Sequence, residues 1–92
     1  MSVTVRLPGA LRDATGGATK VQANGGTLAD VIAELEERHP GLRARIVDDS
    51  GRIRSYVNVY IGEDDARANG GMGATVPDGA EVMVIPAMAG GA

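Results

Sequence analysis

The segment TLADVIAELEERHPG, residues 27–41, restricts the fold more than any other part of this 92-residue chain. Thr27 is a good helix N-cap, and Asp30 three positions later completes the spacing of a capping box. Leu28, Val31, Ile32 and Leu35 fall at i, i+3, i+4 and i+7, which places them on one apolar stripe. Glu34, Glu36, Glu37 and Arg38 lie mostly off it. His39-Pro40-Gly41 stops the helix, because proline disfavours helical geometry in the residue before it. No comparable stripe recurs in the chain, so one main helix must serve whatever else folds.

The remaining regular patterns have a period of two. In SVTVRLP, Val3, Val5 and Leu7 alternate with Thr4 and Arg6, as in a half-buried strand. The turn residues DATGG break it, and ATKVQA predicts a returning strand that ends at NGG. SYVNVYI sets Val57, Val59 and Ile61 on one face and Tyr56, Asn58 and Tyr60 on the other. PDG at 77–79 is a turn. AEVMVIPA is a final strand that is apolar on both faces, Val82 and Val84 on one and Met83 and Ile85 on the other. LRARIVDDSGRIR reads as irregular, with a short helical turn and a DSG turn. GEDDARANGGMGATV reads as a long loop. The order is β-β-α-β-β, an α+β arrangement. One helix covers one face of a sheet, so the other meets solvent or a partner. Either Met83 and Ile85 form part of a docking surface, or the long loops cover them.

Composition removes most chemistry. Cysteine is absent, which excludes disulfides, thiolate metal sites and cysteine nucleophiles. The formal net charge is −3, Lys20 is the only lysine, and Tyr56 and Tyr60 are the only aromatics. A basic stripe and stacking platform for nucleic acid are therefore lacking. No apolar run approaches the length of a membrane span, and MSVTVRLPG does not read as an export signal, so a cytoplasmic location is expected. Gly25-Gly26-Thr27 opens a helix but lacks the Lys-Ser/Thr of a phosphate loop. Asp48-Asp49 and Glu63-Asp64-Asp65 lack calcium-loop spacing and read as solvated turns. His39 is the single histidine and has no nucleophile to serve.

By elimination, the segment IPAMAGGA carries the interest. A small, frayed terminus is one reading. The other rests on Pro86, which fixes the exit of the strand, and on the apolar run Ala87-Met88-Ala89. Glycine lacks a Cβ and can enter a narrow channel. From Ala87 to Gly91 an extended chain spans roughly 17 Å, enough to place a carbonyl inside another protein while the domain, residues 1–86, stays outside. Residues 87–92 are then a flexible tail.

The whole chain resembles the ubiquitin-like sulfur carriers of the MoaD/ThiS family, and most of all its actinobacterial cysteine-synthesis branch. The resemblance rests on VTVRLPGALR, TLADVIAELEERHPGLRARI, YVNVYIGEDDAR and, most specifically, VPDGAEVMVIPAMAGG. It implies a β-grasp fold, with a mixed sheet and one helix on one face. It also implies that the chain is a protein co-substrate, not an enzyme, and binds no cofactor or metal itself. An E1-like enzyme uses ATP to adenylate the terminal glycine, and a sulfur donor converts the adenylate to a thiocarboxylate. By position Gly91 would carry the sulfur and Gly90 would give clearance, with Tyr60, Met83, Ile85 and Met88 as docking candidates. In that branch the acceptor is a PLP-dependent cysteine synthase, and a JAMM-type zinc protease releases the product.

Ala92 departs from the pattern. It makes the Gly91 carbonyl a peptide amide, so Ala92 must be removed before activation unless it is a cloning remnant. The same tail chemistry would serve molybdopterin, thiamin or specialised-metabolite synthesis, or attachment to lysines as a protein modifier. A binding module with an inert tail is the third class. Removing Gly90 to Ala92 would leave only that third function intact.

Overall fold

A computed structural model of the protein describes residues 2–86, the side chain of Ala10 excepted. The capping box forms as the sequence dictates. Helix α1, Leu28–Arg38, starts where the Thr27 hydroxyl accepts from the Asp30 N–H at 3.2 Å and the Asp30 carboxylate accepts from the Thr27 N–H at 3.1 Å. Gly26 just before it has φ 139°, and a Cβ there would lie 2.8 Å from the Asp30 carboxylate. Glycine is thus required for that carboxylate to reach back. At the other end the His39 N–H bonds to the Leu35 carbonyl, and Gly41, with φ 98°, turns the chain into a short second helix, α2, Leu42–Ile46.

Five strands form the main sheet: β1 (Val3–Arg6), β2 (Lys20–Ala23), β4 (Val57–Ile61), β5 (Asp64–Asp65) and β7 (Glu81–Pro86). Their spatial order is β2-β1-β7-β4-β5. The central pair β1·β7 is parallel and the others are antiparallel, so the sheet is mixed. A small ladder of β3 (Gly26–Thr27) and β6 (Thr75–Val76) braces the start of α1. The α1 stripe of Leu28, Val31, Ile32 and Leu35 is buried on Val3, Val5, Val59, Val82 and Val84, and Leu42 and Ile46 of α2 extend the same core. The free edge of β2 is closed by the Arg38 guanidinium, which donates to the Gln22 carbonyl and pairs with Glu34.

Two expectations change. The β1–β2 connection is a 3-10 segment, Gly9–Thr15, that buries Leu11. Residues 62–76, expected as a long loop, contain β5, two 3-10 turns (Ala66–Asn69 and Gly71–Gly73) and β6. The physical reason is Arg67. Asp65 caps its N–H at 2.9 Å, while its guanidinium donates to the carbonyls of Arg54 at 2.6 Å and Val57 at 2.9 Å. One side chain thereby ties the segment to the entry of β4.

Candidate functional site

Strand β7 delivers the chain to its exit at Pro86, and the two flanks of that exit differ. The antiparallel ladder with β4 continues to Val57↔Pro86. The parallel ladder with β1 stops at Arg6↔Met83. The Ala80 carbonyl accepts from the Thr4 N–H, so by strand alternation the backbone carbonyls of Val82, Val84 and Pro86 also point toward the β1 side. Beyond Arg6 that flank holds Leu7 and then Pro8, which has no N–H to extend the ladder. β7 therefore outruns β1 and emerges between two hollows. One, of about 250 Å³, is lined by Arg6, Leu7, Pro8, Met83, Ile85 and Pro86. The other, of about 160 Å³, lies toward the helical layer between Pro8, Leu11, Arg45, Tyr56, Val84 and Pro86.

The side of the sheet away from α1 is open. Tyr60 stands directly opposite Met83 in the β4·β7 register, and both are half-buried. Ile85, two positions on, is 37% exposed. Thr4, Arg6, Gln22 and Asn58 frame these three, with a Gln22–Thr4 side-chain bond at 3.1 Å and an Arg6–Glu81 pair at 3.7 Å. Of the two sequence alternatives, the loops do not cover Ile85; the structure leaves a narrow apolar strip on the open face. Tyr60, Met83 and Ile85 are thus brought together. Met88, Gly90, Gly91 and Ala92 lie outside the described residues.

The groove toward the helices was not foreseen. Tyr56 falls just before β4 rather than within it and is 51% exposed. The Arg54 guanidinium sits over the Tyr56 ring, 5.9 Å from its centroid, and donates to the Ala44 carbonyl at 2.7 Å. Arg45 pairs with Asp13 at 3.5 Å. Placement of α2 depends on Glu36, whose carboxylate accepts from the N–H groups of Gly41 at 3.0 Å and Arg43 at 2.8 Å. Those two bonds, with the Arg43 charge, hold the Glu36 carboxyl below its ordinary range. Asp48 is lowered in the same direction, first by the Ser50 hydroxyl and then by the Arg52 N–H, and it fixes the turn between Val47 and Ile53. Only the Pro8 interruption of β1 signalled this groove in the sequence. Its other walls come from distant segments.

Among the described residues no group of three or more His, Cys, Asp or Glu side chains is placed to hold a metal, and no helix is long and apolar enough to cross a membrane. What the arrangement offers is a strand exit laddered to β4 as far as Pro86, an apolar strip on one side of it and a groove on the other.

The ThiS family profile matches residues 5–91. The chain belongs to the ThiS family. Among its relatives is the sulfur carrier protein CysO of Mycobacterium tuberculosis, 42% identical over 93 residues, which span 99% of this chain and 100% of CysO. The crystal structure of that protein superposes with a TM-score of 0.88 over 92% of this chain and 98% of its own, at 40% identity. A chain in the crystal structure of the Amycolatopsis orientalis BexX/CysO complex matches equally well, with a TM-score of 0.88 at 40% identity over 92% of this chain and 94% of that one. Small archaeal modifier protein 3 of Haloferax volcanii is 35% identical over 65 residues, 71% of this chain and 70% of the modifier. These ThiS-family relatives are β-grasp proteins, and the mixed sheet with α1 on one face is that fold in this member.

Proposed function

We propose that this ThiS-family chain is a sulfur carrier, a protein substrate of other enzymes rather than an enzyme, that works in the cytoplasm in cysteine biosynthesis. The observation that carries the reading is the 42% identity to a sulfur carrier protein across the full length of both chains, together with the diglycine Gly90-Gly91, four and five residues beyond the strand exit at Pro86.

The chemistry assigned to Gly91 requires a free carboxylate, and Ala92 holds that carbonyl as an amide. Hydrolysis of the Gly91–Ala92 bond, by a JAMM-type zinc protease, comes first. An E1-like enzyme then joins the carboxylate to AMP from ATP and releases pyrophosphate, which turns a poor leaving group into a good one. Hydrosulfide attacks the acyl carbon and AMP departs, leaving a thiocarboxylate whose sulfur is nucleophilic. A PLP-dependent synthase accepts it. Gly90 keeps the approach narrow, and the strip of Tyr60, Met83 and Ile85, with Met88, contacts the enzymes in turn.

The intact mass of the protein from its own cells tests this. The expected result is loss of the alanine and replacement of one oxygen by sulfur. A thiocarboxylate formed with Ala92 still attached, or a mass that never gains sulfur, overturns it. The similarity to a small archaeal modifier protein supports a second reading, in which the activated Gly91 acylates lysines. Carrier-linked lysine peptides in a digest of the same cells would select it.

A further inference from the structure

Charge is distributed unevenly along β7. Where the strand begins, the Gly62 N–H donates to the Glu81 carbonyl and brings the β4–β5 turn alongside. That end presents Glu63, Asp64 and Asp65, and also Asp78, whose carboxylate accepts from the Ser2 N–H at 2.8 Å. Arg67, the nearest cation in sequence, is turned toward the carbonyls of Arg54 and Val57. Where the strand ends, the charges are of the other sign. Arg45 lines the exit groove, Arg54 stacks over the Tyr56 that forms its wall, and Arg12 follows the groove-lining Leu11 on an exposed turn. Asp13 pairs with Arg45, and Asp48 feels the Arg54 charge. The Arg45–Asp13 pair is solvent-exposed, where charges are only partly offset. A chain of net charge −3 thus has an arginine-rimmed apolar groove at the end from which its tail departs.

We infer that the enzyme receiving the tail carries carboxylates around the mouth of its tail channel and an apolar side chain that enters the groove between Leu11, Tyr56 and Val84. The inference rests on the sulfur-carrier reading and adds to it the character of the partner surface. Opposite charges steer an encounter and set its orientation more than they set final affinity. With the acidic end turned away and the arginine rim leading, the chain arrives tail first, and the groove then holds it by desolvating an apolar anchor. The open strip of Tyr60, Met83 and Ile85 lies across the sheet from this groove and makes a separate contact.

The test measures association of the full chain with the purified adenylating enzyme of the same cells. Stopped-flow rates are compared as the Debye length shrinks from about 30 Å to about 8 Å. The association rate of the parent should fall about tenfold over that range. R12E combined with R45Q should lower the low-salt rate by a similar factor. E63Q combined with D64N, at the opposite end, should leave it unchanged or raise it. Y56A should leave the association rate in place and raise the dissociation rate. Circular dichroism checks that each variant is folded, and R12Q alone, on an exposed turn, should show the same direction with a smaller effect. A salt-independent rate, or equal losses from variants at the two ends, overturns the inference. Intact mass of the chain with Ala92 removed, so that it ends on the Gly91 carboxylate, after incubation with ATP and sulfide separates the two readings. An enzyme that loads the chain at a salt-independent rate defeats the docking inference alone. An enzyme that shows the expected rates but never loads the chain defeats sulfur carriage alone. No binding at all defeats both.

Discussion

Within β7, Val82 and Val84 are 1% and 4% exposed, whereas Ile85, one residue further on, is 37% exposed. All are aliphatic and all belong to one strand, so residue type cannot explain the difference. Supply of covering elements does. α1 and α2 both lie on the Val82/Val84 side, and among the described residues there is no third α-helix for the other. A short domain that leaves apolar atoms on a polar-framed face retains them at some cost in solubility, and contact with another molecule is the usual reason. The packed face holds the molecule together, and the open face is the one we propose for recognition.

That division is broken or sharpened first by Leu35→Ala. Leu35 is 1% exposed at the centre of the α1 stripe, so its truncation should cost about 3 kcal/mol by lost burial and a residual cavity, read as a lower urea midpoint at unchanged slope. A loss below about 1 kcal/mol would mean that the packed face is less demanding than its burial implies. Ile85→Ser is the counterpart on the open face. Its stability should stay within about 0.5 kcal/mol of the parent, while affinity for the adenylating enzyme falls about tenfold, the size of a contact worth about 1.4 kcal/mol. A variant that binds normally but unfolds easily would assign Ile85 to the core instead.

The two faces also differ in how far they could be read from sequence. The capping box, the α1 stripe and the alternation in β1, β4 and β7 depend on neighbours within one helical turn or one strand. They identify Leu28, Val31, Ile32 and Leu35 as core, and they place Tyr60, Met83 and Ile85 together. The exit groove was not legible, because Leu11, Arg45 and Tyr56 come from three separate segments whose positions are set by tertiary bonds. Residues 62–76 read as loop for a similar reason. β5 and β6 have two residues each, too short to show a period, and their order depends on the Arg67 guanidinium reaching carbonyls up to 14 residues away. Glu36 shows the same limit on a smaller scale. It reads as one more charge off the apolar stripe, yet it holds α2.

The smallest effect should come from Glu36→Gln, which probes how the helical layer of the packed face is assembled. The folded-state carboxyl is lowered by two backbone N–H bonds and by Arg43. A carboxyl whose pKa is lower folded than unfolded stabilises the protein above its unfolded value, about 4.3 for Glu, and that contribution is lost as the pH falls through the folded value. At neutral pH the variant should therefore have a slightly lower urea midpoint than the parent. As the pH falls past about 4 the two midpoints should converge, because the parent then carries a neutral carboxylic acid at the same place. Asp48 has the same sign in both proteins and cancels from the comparison. A gap that persists unchanged at low pH would show that Glu36 holds α2, and with it the Arg45 wall of the groove, through packing rather than through its charge.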